Sequence, residues 1–131
     1  MAKAILDGLR TRILASTNLL AAVGNRIYLD EAPANAALPL VVYSATSSTV
    51  TPHFGGQNRY DIEMDFLIAY NNAGNQAIHT VAQEIETMLA TKFPATGFTA
   101  VTAIKVLGGV PAFEDDSWTM TERYRLTAWD I

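Results

Sequence analysis

Cysteine is absent from this sequence of 131 residues, and histidine occurs only twice, at His53 and His79. The lack of cysteine excludes a disulfide framework, a thiolate zinc site, an iron–sulfur cluster and a cysteine nucleophile. Neither histidine belongs to an HExxH zinc pattern, and the glycine pairs at 55–56 and 108–109 do not have the spacing of a phosphate-binding loop. We therefore expect no metal and no cofactor.

Basic residues are also few. Nine lysines and arginines stand against 13 aspartates and glutamates, which gives a net charge of −4 and an isoelectric point of about 5.0. This balance has the wrong sign for a protein that grips nucleic acid by its phosphates. We therefore expect no sequence-specific nucleic-acid binding.

Long apolar runs are missing as well, since no stretch approaches the roughly 18–20 apolar residues that cross a bilayer. The first 24 residues begin with basic residues and continue with an apolar run, as a signal peptide does. Asp7 and the polar residues Ser16, Thr17 and Asn18 interrupt that pattern. We expect a soluble cytoplasmic protein without a membrane segment, built as a single domain over residues 1–131.

Hydrophobic periodicity divides the chain into helices and strands. The clearest signal is the strict alternation of apolar and charged residues over 59–70, which predicts a strand with one face on the core. Apolar residues at helical spacing predict two main helices, over about 2–15 and 75–92, and a short helix over 18–23 that Gly24 ends. Further extended segments are predicted over 26–29, 40–48, 98–107 and 117–129. The connections are predicted over 30–38, 49–57, 71–75 and 108–116.

This order of elements predicts the α+β class. We expect a two-layer sandwich, in which a mostly antiparallel sheet of about four to five strands carries the two main helices packed on one face.

Charged side chains are concentrated on two of the predicted strands. Alternation places Asp61, Glu63 and Asp65 on one face, roughly 6.5–7 Å apart along the strand, and it places Arg123 and Arg125 on one face of the last strand. The carboxylates have the spacing of a paired acid site or a cation site, but they equally fit a solvated face or a contact between subunits. The two arginines can meet such carboxylates in a neighbouring subunit or in the same sheet.

Three short segments carry a family resemblance. They are Gly24-Asn25-Arg26-Ile27-Tyr28, then Ala32-Pro33, then Leu38-Pro39-Leu40-Val41-Val42-Tyr43. With the alternating strand, the helix that follows it and the long final strand, this pattern resembles the small tail-completion or tail-terminator proteins of long-tailed bacteriophages and prophages. The resemblance covers about residues 9–129 and rests on apolar and turn positions rather than on a catalytic signature.

The resemblance implies a structural role without an enzymatic activity or a cofactor. Such proteins form a ring, typically hexameric, on the head-proximal end of the tail tube, where they stop tube growth and join the tail to the head connector. The implied partners are further copies of the chain, the tail tube protein and the head-completion or connector protein. DNA passes through the ring. The implied location is the virion tail, after assembly in the host cytoplasm.

Two other functions remain open from the residues themselves. A binding module would add a partner's strand at the hydroxyl-rich edge predicted over 40–51. A small hydrolase would use the acidic strand face, and it would need a pocket beside those carboxylates. For the assembly protein, we expect Asp61, Glu63, Asp65, Arg123 and Arg125 to lie at the contact between subunits, because a ring uses head-to-tail contacts between different faces.

Overall fold

The fold is built from helices and strands that follow one another along the whole chain. The computed structural model describes residues 2–53, 55–71 and 75–131. Within them the chain forms three helices and six strands, which are α1 (Ala2–Ala15), α2 (Thr17–Val23), β1 (Ile27–Leu29), β2 (Leu40–Pro52), β3 (Asn58–Asn71), α3 (Asn75–Leu89), β4 (Thr102–Leu107), β5 (Ala112–Glu114) and β6 (Ser117–Trp129).

The strands form one mixed sheet in the order β1-β2-β3-β6-β4, and β5 pairs with β6 beside this path. Strands β1 and β2 run parallel, whereas the other neighbours run antiparallel. The α+β class is therefore confirmed. The expected number of strands, four to five, is too low, because the described residues contain six.

The additional strand comes from a hairpin that the sequence pattern does not show. The connection predicted over 108–116 contains β5, whose Glu114 lies opposite Ser117 in β6. Asp115 and Asp116 between them both have positive φ angles, 52° and 63°. Two consecutive residues of this conformation match the right-handed twist of adjacent strands, so they allow a tight hairpin at this position.

Several predicted boundaries differ from the observed ones. Strand β2 continues to Pro52, four residues beyond the predicted end, because the threonine and valine residues at 49–51 favour extended backbone and pair with β3. Strand β4 begins at Thr102, since Phe98 instead packs its ring against Tyr60 with centroids 5.0 Å apart. Helix α3 ends at Leu89 rather than at residue 92. The turn predicted over 71–75 includes residues 72–74, which lie outside the described residues.

The core lies on one face of the sheet and includes buried side chains of all three helices. On β3 the alternation predicted from the sequence is confirmed, because the inward side chains are almost completely buried: Tyr60, Ile62, Met64, Phe66 and Ile68. Helix α3 packs against β3, β6 and β4. Gly24 ends α2 in the left-handed conformation, with φ of 58°, as a helix stop does. On β3 and β6 the alternate residues, which point to the opposite face of the sheet, are half-buried or exposed.

Candidate functional site

The face of the sheet opposite the core, here called the outer face, carries the five charged residues that the sequence analysis expects at a subunit contact. The strand register places these residues in three rows across the sheet. Asp61 lies between Thr49 and Thr127, Glu63 lies between Ser47 and Arg125, and Asp65 lies between Ser44 and Arg123. Carboxylates of β3 therefore stand beside hydroxyl groups of β2 on one side and beside guanidinium or hydroxyl groups of β6 on the other.

Ion pairs connect the neighbouring strands along these rows. Arg123 binds Asp65 with two hydrogen bonds, Nε to Oδ1 at 2.7 Å and Nη2 to Oδ2 at 3.2 Å. This bidentate hydrogen bonding, together with the negative charge of Asp65, raises the pKa of the Arg123 guanidinium. Arg125 Nη2 lies 3.4 Å from Glu63 Oε1.

The third carboxylate has two partners of its own. Arg59 Nε donates to Asp61 Oδ2 at 3.0 Å, and the Thr127 hydroxyl donates to Asp61 Oδ1 at 2.7 Å. Three carboxylates and three guanidinium groups therefore balance one another on this face. We call the six residues the charge ladder: Arg59, Asp61, Glu63, Asp65, Arg123 and Arg125.

The charge ladder lies within one chain, since Arg123 and Arg125 bind carboxylates of their own sheet. The ladder borders an open depression of about 480 Å³, which hydroxyl groups of β2 and the side chain of Ile104 also line. Within the described residues, no group of three or more histidine, cysteine, aspartate or glutamate side chains could hold a metal ion. Carboxylates fixed by arginine and threonine donors act as structural ties between strands.

Exposed apolar side chains form a second feature of the surface, which we call the apolar edge. Five of the large hydrophobic residues exposed in the described part of the chain fall within ten positions on and after β4: Ile104, Val106, Leu107, Val110 and Phe113. Ile104 is 63% exposed and Val110 is 83% exposed. The sequence analysis did not identify this surface. It predicted only an extended segment over 98–107, and the observed strand has little burial on either face.

Glu122 is a buried acid that the sequence analysis also missed. It is 4% exposed, and its Oε2 accepts the backbone N–H of Gly109 at 3.0 Å and lies 3.7 Å from Lys105 Nζ. A side chain at position 109 would collide with the carbonyl oxygen of Thr121. Glu122 and Gly109 therefore hold the segment after β4 close against β6.

The segments that carry the family resemblance have a structural explanation. Arg26 Nε donates to the carbonyl of Pro39 at 2.8 Å, and Arg26 Nη2 lies 3.4 Å from the carbonyl of Leu38. The N–H of Val41 donates to the carbonyl of Arg26 at 2.9 Å. These bonds fasten β1 to the start of β2, so the spacing of these segments reflects the parallel pairing of two strands.

Comparison with known proteins identifies the family. The family model described as Tail completion protein gp17 matches residues 7–128, which confirms the resemblance seen in the sequence. Among solved structures, a chain from the virion of a native gene transfer agent particle superposes with a TM-score of 0.69. It is 15% identical, and the match covers 98% of this chain and 96% of that chain. A second solved structure superposes with a TM-score of 0.63 at 15% identity, over 98% of this chain and 95% of its own.

The other comparisons add two findings. No curated protein sequence matches the chain significantly. In the described part of the chain, none of the helices is long and apolar enough to cross a membrane. The family match extends over most of the chain, from α1 to β6. The chain therefore belongs to the family of Tail completion protein gp17, and its role is that of a structural protein of the bacteriophage tail.

Proposed function

We propose that this chain assembles into a closed hexameric ring on the head-proximal end of the tail tube, where it stops tube growth and joins the tail to the head connector. The observation that carries the proposal is the family match over residues 7–128. Its partners are then other copies of the chain, the tail tube protein and the head connector protein. It assembles in the host cytoplasm and remains in the virion.

The fold supports this proposal. A chain taken from a gene transfer agent virion has the same fold over nearly its whole length, so this architecture is used within a phage-like particle. We include in the proposal the two-layer arrangement with the main helices on one face of the sheet. The contacts of α3 with β3, β6 and β4 support it.

The surface also suits a protein that works by contact with other chains. Single exposed hydrophobic residues are ordinary on a monomer, whereas a contiguous group indicates a binding surface. The apolar edge concentrates five such residues within ten positions of the chain. A net charge of −4 keeps the ring from binding the phosphates of the DNA that passes through it.

The predicted subunit contact through Asp61, Glu63, Asp65, Arg123 and Arg125 stays part of this proposal, but the ion pairs change what these residues present to a neighbour. Asp61, Glu63 and Asp65 do not face a neighbour as free carboxylates, because Arg59, Arg123, Arg125 and Thr127 already bind them. They meet the next subunit as a charge-balanced surface. Such a surface fixes the register of a contact more than it adds affinity.

One observation favours a second candidate function, a binding module that accepts a partner's strand. Strand β1 pairs only with residues 41–43 of β2, so the rest of that edge carries no neighbouring strand within the described residues. Light scattering over a concentration series separates the two functions. The binding module predicts a stable monomer that binds an extended peptide, whereas the tail protein predicts a ring or the capping of purified tail tubes.

Deletion of the gene from the phage or prophage that encodes the chain tests the proposed function. We expect electron micrographs of the lysate to show tails of uncontrolled length and filled heads without tails. Expression of the chain from a plasmid should restore normal particles. Tails of normal length that are joined to heads in the deletion lysate would refute the proposal.

A further inference from the structure

Both edges of the sheet are open along part of their length. At one edge, β1 covers β2 only at residues 41–43, so residues 44–52 have β3 on one side and no strand on the other within the described residues. Residues 45–50 are exposed. At the opposite edge, β6 is the only strand that pairs with β4 in the described part of the chain. Its last four residues, 104–107, are exposed.

The backbone of β2 presents free hydrogen-bonding groups at its open edge. The N–H of His53 donates to the carbonyl of Gln57 in the hairpin between β2 and β3, at 3.1 Å. Along an antiparallel pair, the groups of every second residue point to the partner strand, and the others point away from it. The backbone N–H and C=O groups of Thr51 and Thr49 therefore face β3, whereas the backbone groups of Ser48 and Val50 face outward.

The same reasoning gives the direction of the groups on β4. Val101 exchanges backbone hydrogen bonds with Phe93, at 2.7 Å and 3.1 Å, on the side away from β6. Alternation then turns the groups of Ala103 and Lys105 away from β6. Among the described residues Phe93 covers this edge only at Val101, directly before β4, so β4 itself offers its outward groups to another strand.

The chemistry of the two edges is matched, because the charges of the outer face lie on the central strands. Each row of the charge ladder begins with a hydroxyl residue of β2: Ser44, Ser47 or Thr49. The rows end on β4 with an uncharged residue: Thr102, Ile104 or Leu107. On β4 the only charge is that of Lys105, which lies near Glu86 and Glu122. Contact between the two edges therefore leaves no unpaired charge at the junction.

We propose that β4 of one copy pairs with residues 44–52 of β2 in the next copy, so that the sheet continues from subunit to subunit. This inference rests on the proposed ring. A second copy fits these edges because every chain carries both of them, at opposite ends of one sheet and of comparable length. Contact between two different surfaces generates a ring when the rotation closes. In that ring no subunit is left with an open, aggregation-prone edge.

Disulfide trapping tests this contact, and the chain offers a background without cysteine. In the double variant Thr49→Cys with Ile104→Cys, β3 and β6 separate the two cysteines. Three strand spacings amount to roughly 14 Å, whereas a disulfide requires Cα atoms within about 7 Å. Any disulfide between these positions therefore joins two chains. The matched control is Leu14→Cys with Ile104→Cys, because Leu14 is exposed but belongs to helix α1 rather than to either edge strand.

Oxidation of the purified variants over a concentration series should give a ladder of covalent oligomers for the edge pair that the control pair does not give. A second pair, Ser47→Cys with Ile104→Cys, detects the same contact if the pairing of the two strands is shifted by two residues. The proposal would be overturned if neither edge pair gave more covalent oligomers than the control pair.

A backbone variant tests the same contact without a cross-link. Ser48→Pro removes an N–H that faces away from β3, and proline is tolerated at such positions of edge strands. We expect Ser48→Pro to reduce the cross-linking of the edge pair at least tenfold, whereas Ser48→Ala, which keeps the N–H, leaves it unchanged. Circular dichroism checks that both variants fold. A folded Ser48→Pro variant that cross-links as well as Ser48→Ala would contradict the pairing.

These results separate the failure of this inference from the failure of the proposed function. If the chain restores normal tails in the deletion phage but gives no edge-specific cross-link, the proposed function stands and the proposed contact is wrong. If the chain cross-links at the edges but does not restore tails, the proposed contact stands and the proposed function is wrong.

Discussion

The hydroxyl group of Tyr124 allows a prediction whose size follows from the structure. Tyr124 is 2% exposed, and within the described residues its hydroxyl oxygen is buried without a hydrogen-bond partner. Burial of an unpaired hydroxyl group costs about 1–3 kcal/mol according to protein mutational data. Its ring packs edge-on against Phe66, with centroids 5.7 Å apart, and phenylalanine keeps that contact. We therefore expect Tyr124→Phe to raise the free energy of unfolding by about 1 kcal/mol.

Thermal and urea unfolding measure this effect. For a chain of this size, about 1 kcal/mol corresponds to a rise in Tm of roughly 3–5 °C. The matched control is Tyr43→Phe. Tyr43 is also buried in the core, but its hydroxyl is not among the buried polar atoms that lack a hydrogen-bond partner. We expect the control to leave Tm within about 1 °C. A loss of stability greater than about 1 kcal/mol in Tyr124→Phe would refute the reasoning, because it would show that the hydroxyl group has a stabilising partner.

The same side chain contributes to the change in folding stability at alkaline pH. Burial, together with the nearby charges of Glu122 and Glu86, raises the pKa of Tyr124 well above its usual value. The folded protein therefore holds the phenol proton more tightly than the unfolded chain, whose tyrosines titrate near pH ~10. Stability is retained below that pH and falls as the pH rises above it. We expect the decline above pH ~10 to be smaller in Tyr124→Phe, and an identical decline in both proteins would contradict this assignment.

Two further predictions concern the outer face and the segment that follows β4. The double variant Asp61→Lys with Asp65→Lys replaces the acids of two rows by bases beside arginines, so we expect loss of ring assembly and of tail complementation with the fold retained. Intact assembly would remove the charge ladder from the subunit contact. A methyl group at Gly109 would collide with the carbonyl oxygen of Thr121, whereas one at Gly108 meets only ordinary contacts. We expect Gly109→Ala to lower the free energy of unfolding by about 1–3 kcal/mol and Gly108→Ala to change it by less than about 0.5 kcal/mol, measured by urea unfolding. Equal effects would contradict the steric explanation.

The elements that the sequence predicted well are those with one face in the core. Alternation over β3 and the helical spacing of Ile78, Val81 and Ile85 on α3 both record burial, since side chains that face the core must be apolar. The helix stop at Gly24 was predictable for a different reason, because its left-handed backbone favours glycine.

The elements that the sequence did not predict lie where burial is weak. The second half of β2 is exposed on both faces, and all of β5 is exposed, so their side chains carry no periodic signal. Glu122 was missed because an acid at an inward position breaks the apolar pattern, and its partner Gly109 lies in a connection. The pairing of Asp65 with Arg123 depends on the register between two strands that are distant in sequence, which no local pattern specifies.

The central claim is that this chain forms a ring at the end of the tail that meets the head. Cryo-electron microscopy of virions that carry the chain with a small C-terminal tag tests this claim most directly. We predict sixfold density for the chain at the junction between tail tube and head connector, with the tag resolved on every subunit. Density for the tag elsewhere in the particle, or a single copy at the junction, would contradict the claim.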